Sequence, residues 1–191
     1  MRGRENRWHE ELHSTFGAEI WNKIYTTTAD IRRENKLKWL QFQINRNCLY
    51  TNFRINKFSQ VSPFCSFCSQ NDTQPQCLEL VSHLFYTCTI VFNFWQEVGA
   101  WLESINPSVN ISLSKTNILF CILSENSNSV GNFIILCGKY FIWKTKLQSG
   151  LPMLNSFKIF LKNKLEETKN ALLLEDKMQS FDVWSVIFSV L

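Results

Sequence analysis

At 191 residues, 45% hydrophobic and 19% charged, the chain can bury a sizeable core as one domain or two small packed ones, which excludes a disordered polypeptide. A net charge of +4 and a pI near 8.7 permit a nucleic-acid partner without requiring one. Seven cysteines, no signal-type apolar run in residues 1–7, and a longest apolar run that meets Lys139 well short of the roughly 20 residues of a bilayer span set the expectation: intracellular, nuclear or cytoplasmic, no disulfide framework, no membrane.

From the N-terminus, residues 4–25 read as two short amphipathic helices. Trp8 and Leu12 stand one turn apart, Ile20, Trp21 and Ile24 form a second stripe, and Gly17 divides the two. His9 and His13 have the spacing of helix ligands but no third candidate nearby, and read as surface residues. Residues 26–28 and Asp30 make a polar junction suited to an N-cap, after which Leu37, Leu40, Ile44 and Cys48 recur at helical spacing. This stretch carries Arg32, Arg33, Lys36, Lys38 and Arg46, mostly away from the apolar stripe. They form a basic face, and a solvated helix surface accounts for it equally well. Through residues 49–64, Arg54 and Lys57 are interleaved with Tyr50, Phe53 and Phe58. Such interleaving suits phosphate contacts with rings stacked on unpaired bases, and it also suits a helix packing its rings into the core.

Cys65 and Cys68 follow, three positions apart, then a gap of fourteen residues, then His83 and Cys88 five positions apart. Four soft ligands in two close pairs are the pattern of a tetrahedral zinc site, and four ligands leave no position for a catalytic water. Pro63 before the first pair and Ser69, Gln70, Asn71 and Asp72 after it supply the tight turn that both thiols need. The second pair leads into a helix. Two buried thiols and a hydrogen-bonded core histidine are the plainer alternative, a thioredoxin-like pair lacks its strand-helix-strand setting, and Cys77 could displace one ligand. Cys48, Cys121 and Cys137 are expected to take no part.

After Cys88 the clearest helix spans residues 89–104, with Val91, Phe94, Trp95, Val98, Trp101 and Leu102 on one face and Asn106 and Pro107 ending it. Residues 107–114 and 124–129 read as loops, and 115–123 as a short helix or a strand. A buried helix over 130–149 ends near Gly150, and Pro152 opens another with Leu154, Phe157, Leu161 and Leu165 on one side and Lys158, Lys162 and Lys169 on another. A final apolar repeat, Phe181, Trp184, Ile187, Phe188 and Leu191, reads as a last docked helix. The resulting fold class is mainly α, a helical module stapled by a small paired-ligand zinc site, with no large sheet. Its divisions are residues 1–30, N-terminal helices; 31–106, the zinc-binding part; and 107–191, a C-terminal helical segment packed on it.

No carboxylate pair of a polymerase palm, phosphate loop, zinc-protease motif or nucleophile elbow occurs, so no enzymatic activity is expected. From residue 38 to residue 101 the chain resembles the zinc-binding C-terminal region of reverse transcriptases encoded by non-LTR (LINE-type) retrotransposons. The likeness is carried by Trp39 and Leu40, Arg46, Tyr50 to Asn52, Arg54 to Lys57, Ser62 to Cys65, Cys68, His83 to Phe85, Cys88, Phe94, Trp95 and Trp101. Ile44, Asn45 and Arg46 stand where that family often has Leu-His-Arg, and the loop between the ligand pairs is longer. The resemblance implies a non-catalytic module that follows the polymerase, holds zinc on Cys65, Cys68, His83 and Cys88, and binds RNA or target DNA beside the rest of a reverse-transcriptase polyprotein. On the basic and aromatic residues, that contact falls to Arg32, Arg33, Lys36, Lys38, Arg46, Tyr50, Phe53, Arg54 and Lys57. A zinc-stapled protein-interaction scaffold and a transposon remnant without a present role are the alternatives.

Overall fold

A computed structural model describes residues 2–13, 15–30, 35–70, 76–105, 113–121 and 129–174. The helices are α1 (Arg2–Leu12), α2 (Ala18–Asp30), α3 (Asn35–Asn45), the single turn α4 (Asn52–Ile55), α5 (Thr89–Ile105), α6 (Lys115–Phe120), α7 (Ser129–Leu147) and α8 (Leu154–Leu174). The described residues contain no strand, only one isolated antiparallel bridge between Phe64 and Leu78. The fold is mainly α, as the periodicity predicts.

Apolar periodicity explains which faces meet. Val91, Phe94, Trp95, Val98, Trp101 and Leu102 are the buried residues of α5, the same set the sequence pattern selects. They share one core with Trp8 of α1, Trp21 and Ile24 of α2, Leu37, Leu40 and Ile44 of α3, Phe120 of α6, Ile135 of α7 and Phe157 of α8. Where α7 meets α5 the Trp95 ring lies directly against the α7 backbone, because position 138 is glycine. A β-carbon there would lie 2.4 Å from the Trp95 ring, and that ring is held by its Nε1–H donating to the Phe85 carbonyl at 2.9 Å.

A buried polar chain runs through the apolar core. Trp8 Nε1 donates to the Asn45 carbonyl at 3.1 Å and Asn45 Nδ2 to the Ile24 carbonyl at 3.1 Å. Gln41 Nε2 donates to Asn45 Oδ1 at 2.6 Å and to the Leu119 carbonyl at 2.9 Å. The fully buried Lys139 donates to Gln41 Oε1, to the Leu119 carbonyl at 3.1 Å and to Cys121 Sγ at 3.0 Å. Buried polar groups cost free energy unless paired, so this chain fixes the order in which α1, α2, α3, α6 and α7 meet.

Several local expectations are corrected. Residues 26–30 are no junction but the last turns of α2, where the Thr26 hydroxyl donates back to the Asn22 and Lys23 carbonyls. His9 is half-buried against the Trp21 ring, 6.1 Å between centroids, rather than a surface residue. Residues 49–64 hold only the short α4, and Tyr50 and Phe58 stay 56% and 67% exposed, so these two rings do not pack into the core. Lys115–Phe120 settles as helix, capped by Ser114 Oγ accepting from the Asn117 amide. At the end of α7 the left-handed residue is Ser149, φ 55°, while the Gly150 amide donates to the Thr145 carbonyl. The predicted helix at 181–191 and the loop residues 106–112 and 124–128 lie outside the described residues.

Candidate metal centre

The first ligand pair is shaped by backbone pairing on both sides. The Cys65 amide donates to the Cys77 carbonyl at 2.8 Å and the Glu79 amide to the Pro63 carbonyl at 3.0 Å, which joins the two arms beside the Phe64–Leu78 bridge. Beyond Cys65 the chain reverses. The Ser69 amide and hydroxyl both donate to the Cys65 carbonyl, at 3.0 and 2.8 Å, and a 3-10 turn follows over Cys68–Gln70. Cys65 and Cys68 are thereby set on one side of a tight knuckle.

The second pair depends on a π-helical turn, His83–Thr87, closed by the Cys88 amide donating to the His83 carbonyl at 3.0 Å. In an α-helix a residue five positions on points about 140° away, whereas a π-turn, bonded from i to i+5, returns it to nearly the same face. The wider turn, with Cys88 extended just beyond it, brings the two ligands to one side.

The four donor atoms converge within 4.8 Å of one another, all on buried residues. Cys65 Sγ and Cys88 Sγ are 4.0 Å apart, Cys68 Sγ and Cys88 Sγ 3.7 Å, and Cys68 Sγ and His83 Nε2 3.4 Å. A tetrahedral ion with ordinary zinc–sulfur and zinc–nitrogen bonds has edges of about 3.8 Å between sulfurs and about 3.5 Å between sulfur and nitrogen. The donor set fits a metal ion. His83 faces the thiols through Nε2, while Nδ1 lies 3.3 Å from the Thr87 hydroxyl. With Nε2 as ligand, Nδ1 carries the proton and donates to Thr87, which orients the ring.

The thiols divide by environment. The hydrogen bond to Cys88, reinforced by burial, pushes the Cys65 thiol up to about 12, and burial pushes Cys68 up to about 11. Cys88 is held below its ordinary 9.0 because it accepts the Cys65 S–H. A metal must therefore displace protons from Cys65 and Cys68, so its capture is coupled to pH. Cys77 contributes its carbonyl to the knuckle and does not belong to the converging set. Cys48 is half-buried elsewhere, Cys121 sits beside Lys139, and Cys137 is in the core of α7.

Glu79 is a residue that motif spacing does not single out. Its fully buried carboxylate accepts from the Asn52 amide at 2.8 Å, from the Ser66 amide at 3.3 Å and hydroxyl at 3.2 Å, and pairs with Lys146 at 2.8 Å. It joins α4, the knuckle and α7. Thr87 also escapes motif spacing, and the only sequence signal for it is its position four residues after His83.

The predicted nucleic-acid residues fall into two groups. Tyr50, Phe53, Arg54 and Lys57 line a groove of about 680 Å³, together with Arg7, Glu10 and Glu11 of α1, Asn47, Thr51 and Phe58. Within it Lys57 Nζ lies 5.1 Å from the Phe53 ring centre, Tyr50 and Phe58 meet edge-on at 6.2 Å, and Arg54 donates to the Asn47 carbonyl. Leu80 and Val81, just before the ligand turn, complete the wall. Lys36, Lys38 and Arg46 sit on or just past α3 and do not line it. Arg32 and Arg33 lie outside the described residues. No protein-family model matches the sequence, and no curated protein matches it.

Proposed function

We propose that this chain is a zinc-stapled, non-catalytic module that binds single-stranded or structured RNA, or target DNA, as the resemblance to the tail of retrotransposon reverse transcriptases implies. The observation that carries the reading is one groove that gathers Tyr50, Phe53, Arg54 and Lys57, with Arg7 added from α1, against the segment leading into His83. Zinc is the metal that a closed set of three thiolates and one imidazole favours. In this reading the ion performs no chemistry. It holds the Cys65 knuckle and the His83 turn together, and so holds one wall of the groove.

The test is a titration of labelled RNA across a salt series, with metal analysis of each sample. Arg54→Gln with Lys57→Gln is expected to weaken binding and to reduce the salt dependence by about 0.7 log units per log unit of salt for each lost phosphate contact. Cys65→Ser with Cys68→Ser is expected to lose the zinc and weaken binding together. Unchanged zinc content in that variant rejects the ligand assignment. No saturable binding to RNA or DNA at low salt turns the reading to a protein-interaction scaffold, which the exposed Leu147, Leu151, Met153 and Ile159 around the α7–α8 connection favour.

A further inference from the structure

A second aromatic surface lies outside the groove. Trp39 of α3 is 61% exposed, the most exposed tryptophan among the described residues, yet it is not loose. Its ring stacks on Phe42 at 5.5 Å with an interplanar angle of 13°. The Arg46 guanidinium lies 4.9 Å above the Phe42 ring and 5.7 Å from Tyr25, and Tyr25 in turn stacks on the buried Trp21 at 6.0 Å. A ladder of rings and one cation therefore runs from the core out to a solvent-facing indole.

The charge around that indole selects an occupant. Helix α3 carries Lys36 and Lys38 and no acidic residue. On a helical face Lys36, Trp39, Phe42 and Arg46 fall at spacings of three, three and four, so a cation stands at each end of a stacked aromatic pair, over about 15 Å of helix. An apolar protein surface gains nothing from the two terminal cations. A flexible polyanion carrying planar rings matches both features, and bases offer a π-face whatever their sequence.

We propose that the Trp39–Phe42 stack is a platform for an unpaired base of single-stranded nucleic acid, with Lys36 and Arg46 reaching the flanking phosphates. The inference rests on the nucleic-acid reading above and adds to it a site on a different helix.

The experiment is a fluorescence titration with labelled oligouridine of about twelve nucleotides, within the length such surfaces cover. Wild type, Trp39→Leu, Trp39→Phe, Lys36→Gln, and the groove pair Arg54→Gln with Lys57→Gln are compared across a salt series, with thermal unfolding of each. Trp39→Leu is expected to weaken binding by about five- to a hundredfold at every salt concentration with the slope unchanged, and Trp39→Phe to recover most of it. Lys36→Gln is expected to reduce the slope by about 0.7. Fully paired RNA of the same length, whose bases are already stacked, is expected to be insensitive to Trp39→Leu. If Trp39→Leu leaves oligouridine binding unchanged while the groove pair weakens it, the platform is overturned and the groove stands. Equal weakening of single-stranded and paired RNA also overturns stacking. No saturable binding by wild type overturns both sites.

Discussion

At the scale of single residues, two buried ions decide more than any surface charge. Glu79 is fully buried and its partner Lys146 nearly so, with the carboxylate also answering two backbone amides. Removing one member of a buried pair leaves the other charge uncompensated, at a cost of about 3–5 kcal/mol. Glu79→Gln should therefore lower the urea midpoint strongly, and combining it with Lys146→Met should recover much of the loss. Lys139 is different, because burial holds its amine below the ordinary 10.5 and the same burial raises the Cys121 thiol beside it. Because the folded amine's value is lowered, the unfolded chain takes up its proton before the folded chain does as pH falls below 10.5. Stability owed to this group thus decreases with falling pH until the lowered value is passed. Below the thiol's ordinary 9.0, Cys121 adds no opposing slope. Urea unfolding of wild type and Lys139→Met over that range should show the wild type losing stability toward acid relative to the variant.

At the scale of elements, the seat of the Trp95 ring of α5 on the α7 backbone at Gly138 is a tight fit. A β-carbon on residue 138 would meet three atoms of the Trp95 ring at 2.4, 2.8 and 3.3 Å. The ring is buried and anchored to the Phe85 carbonyl, so it cannot swing aside. Gly138→Ala should destabilise by about 1–3 kcal/mol, as overpacking does, although alanine is the better helix former. Thermal unfolding measures it, and an unchanged midpoint would show that the two helices can separate without loss. The π-turn His83–Thr87 is the other demanding element. It leads directly into α5, so His83, Cys88 and the Trp95 anchor are parts of one continuous run.

At the scale of the whole molecule, the ligand residues are not an appendage. Cys65, Cys68, Cys88, Phe67 and Phe85 belong to the same buried cluster as the helical core. With a metal on the proposed four-donor site, chelation should open the knuckle and the turn, because metal binding is then folding free energy for that segment. Helix α2 packs on α3, α3 on α6 and α7, and α7 on α8, so most far-UV helical signal should survive. Hydrogen exchange should localise the loss of protection to residues 63–70, 76–88 and the first turn of α5. Loss of the whole helical signal on chelation would mean that the ion controls the entire fold.

Periodicity and ligand spacing by themselves determined the helical class, the buried face of α5 and the membership of the Cys65, Cys68, His83 and Cys88 set. Each of these is a local property: a 3.6-residue repeat is visible along the chain, and soft ligands in close pairs are rare enough to be noticed. Other features were decided by tertiary structure. The π-turn that lets a five-residue spacing work, the role of Glu79, the need for glycine at 138 and the polar chain from Trp8 to Lys139 all join residues far apart in sequence. Whether a ring is core or surface was undecidable along the chain wherever no long helical repeat carries it, as at Tyr50 and Phe58. Tyr50, Phe58 and Trp39 stay exposed while Trp8 and Trp95 are buried, and burial is a property of the assembled layers rather than of the residue type.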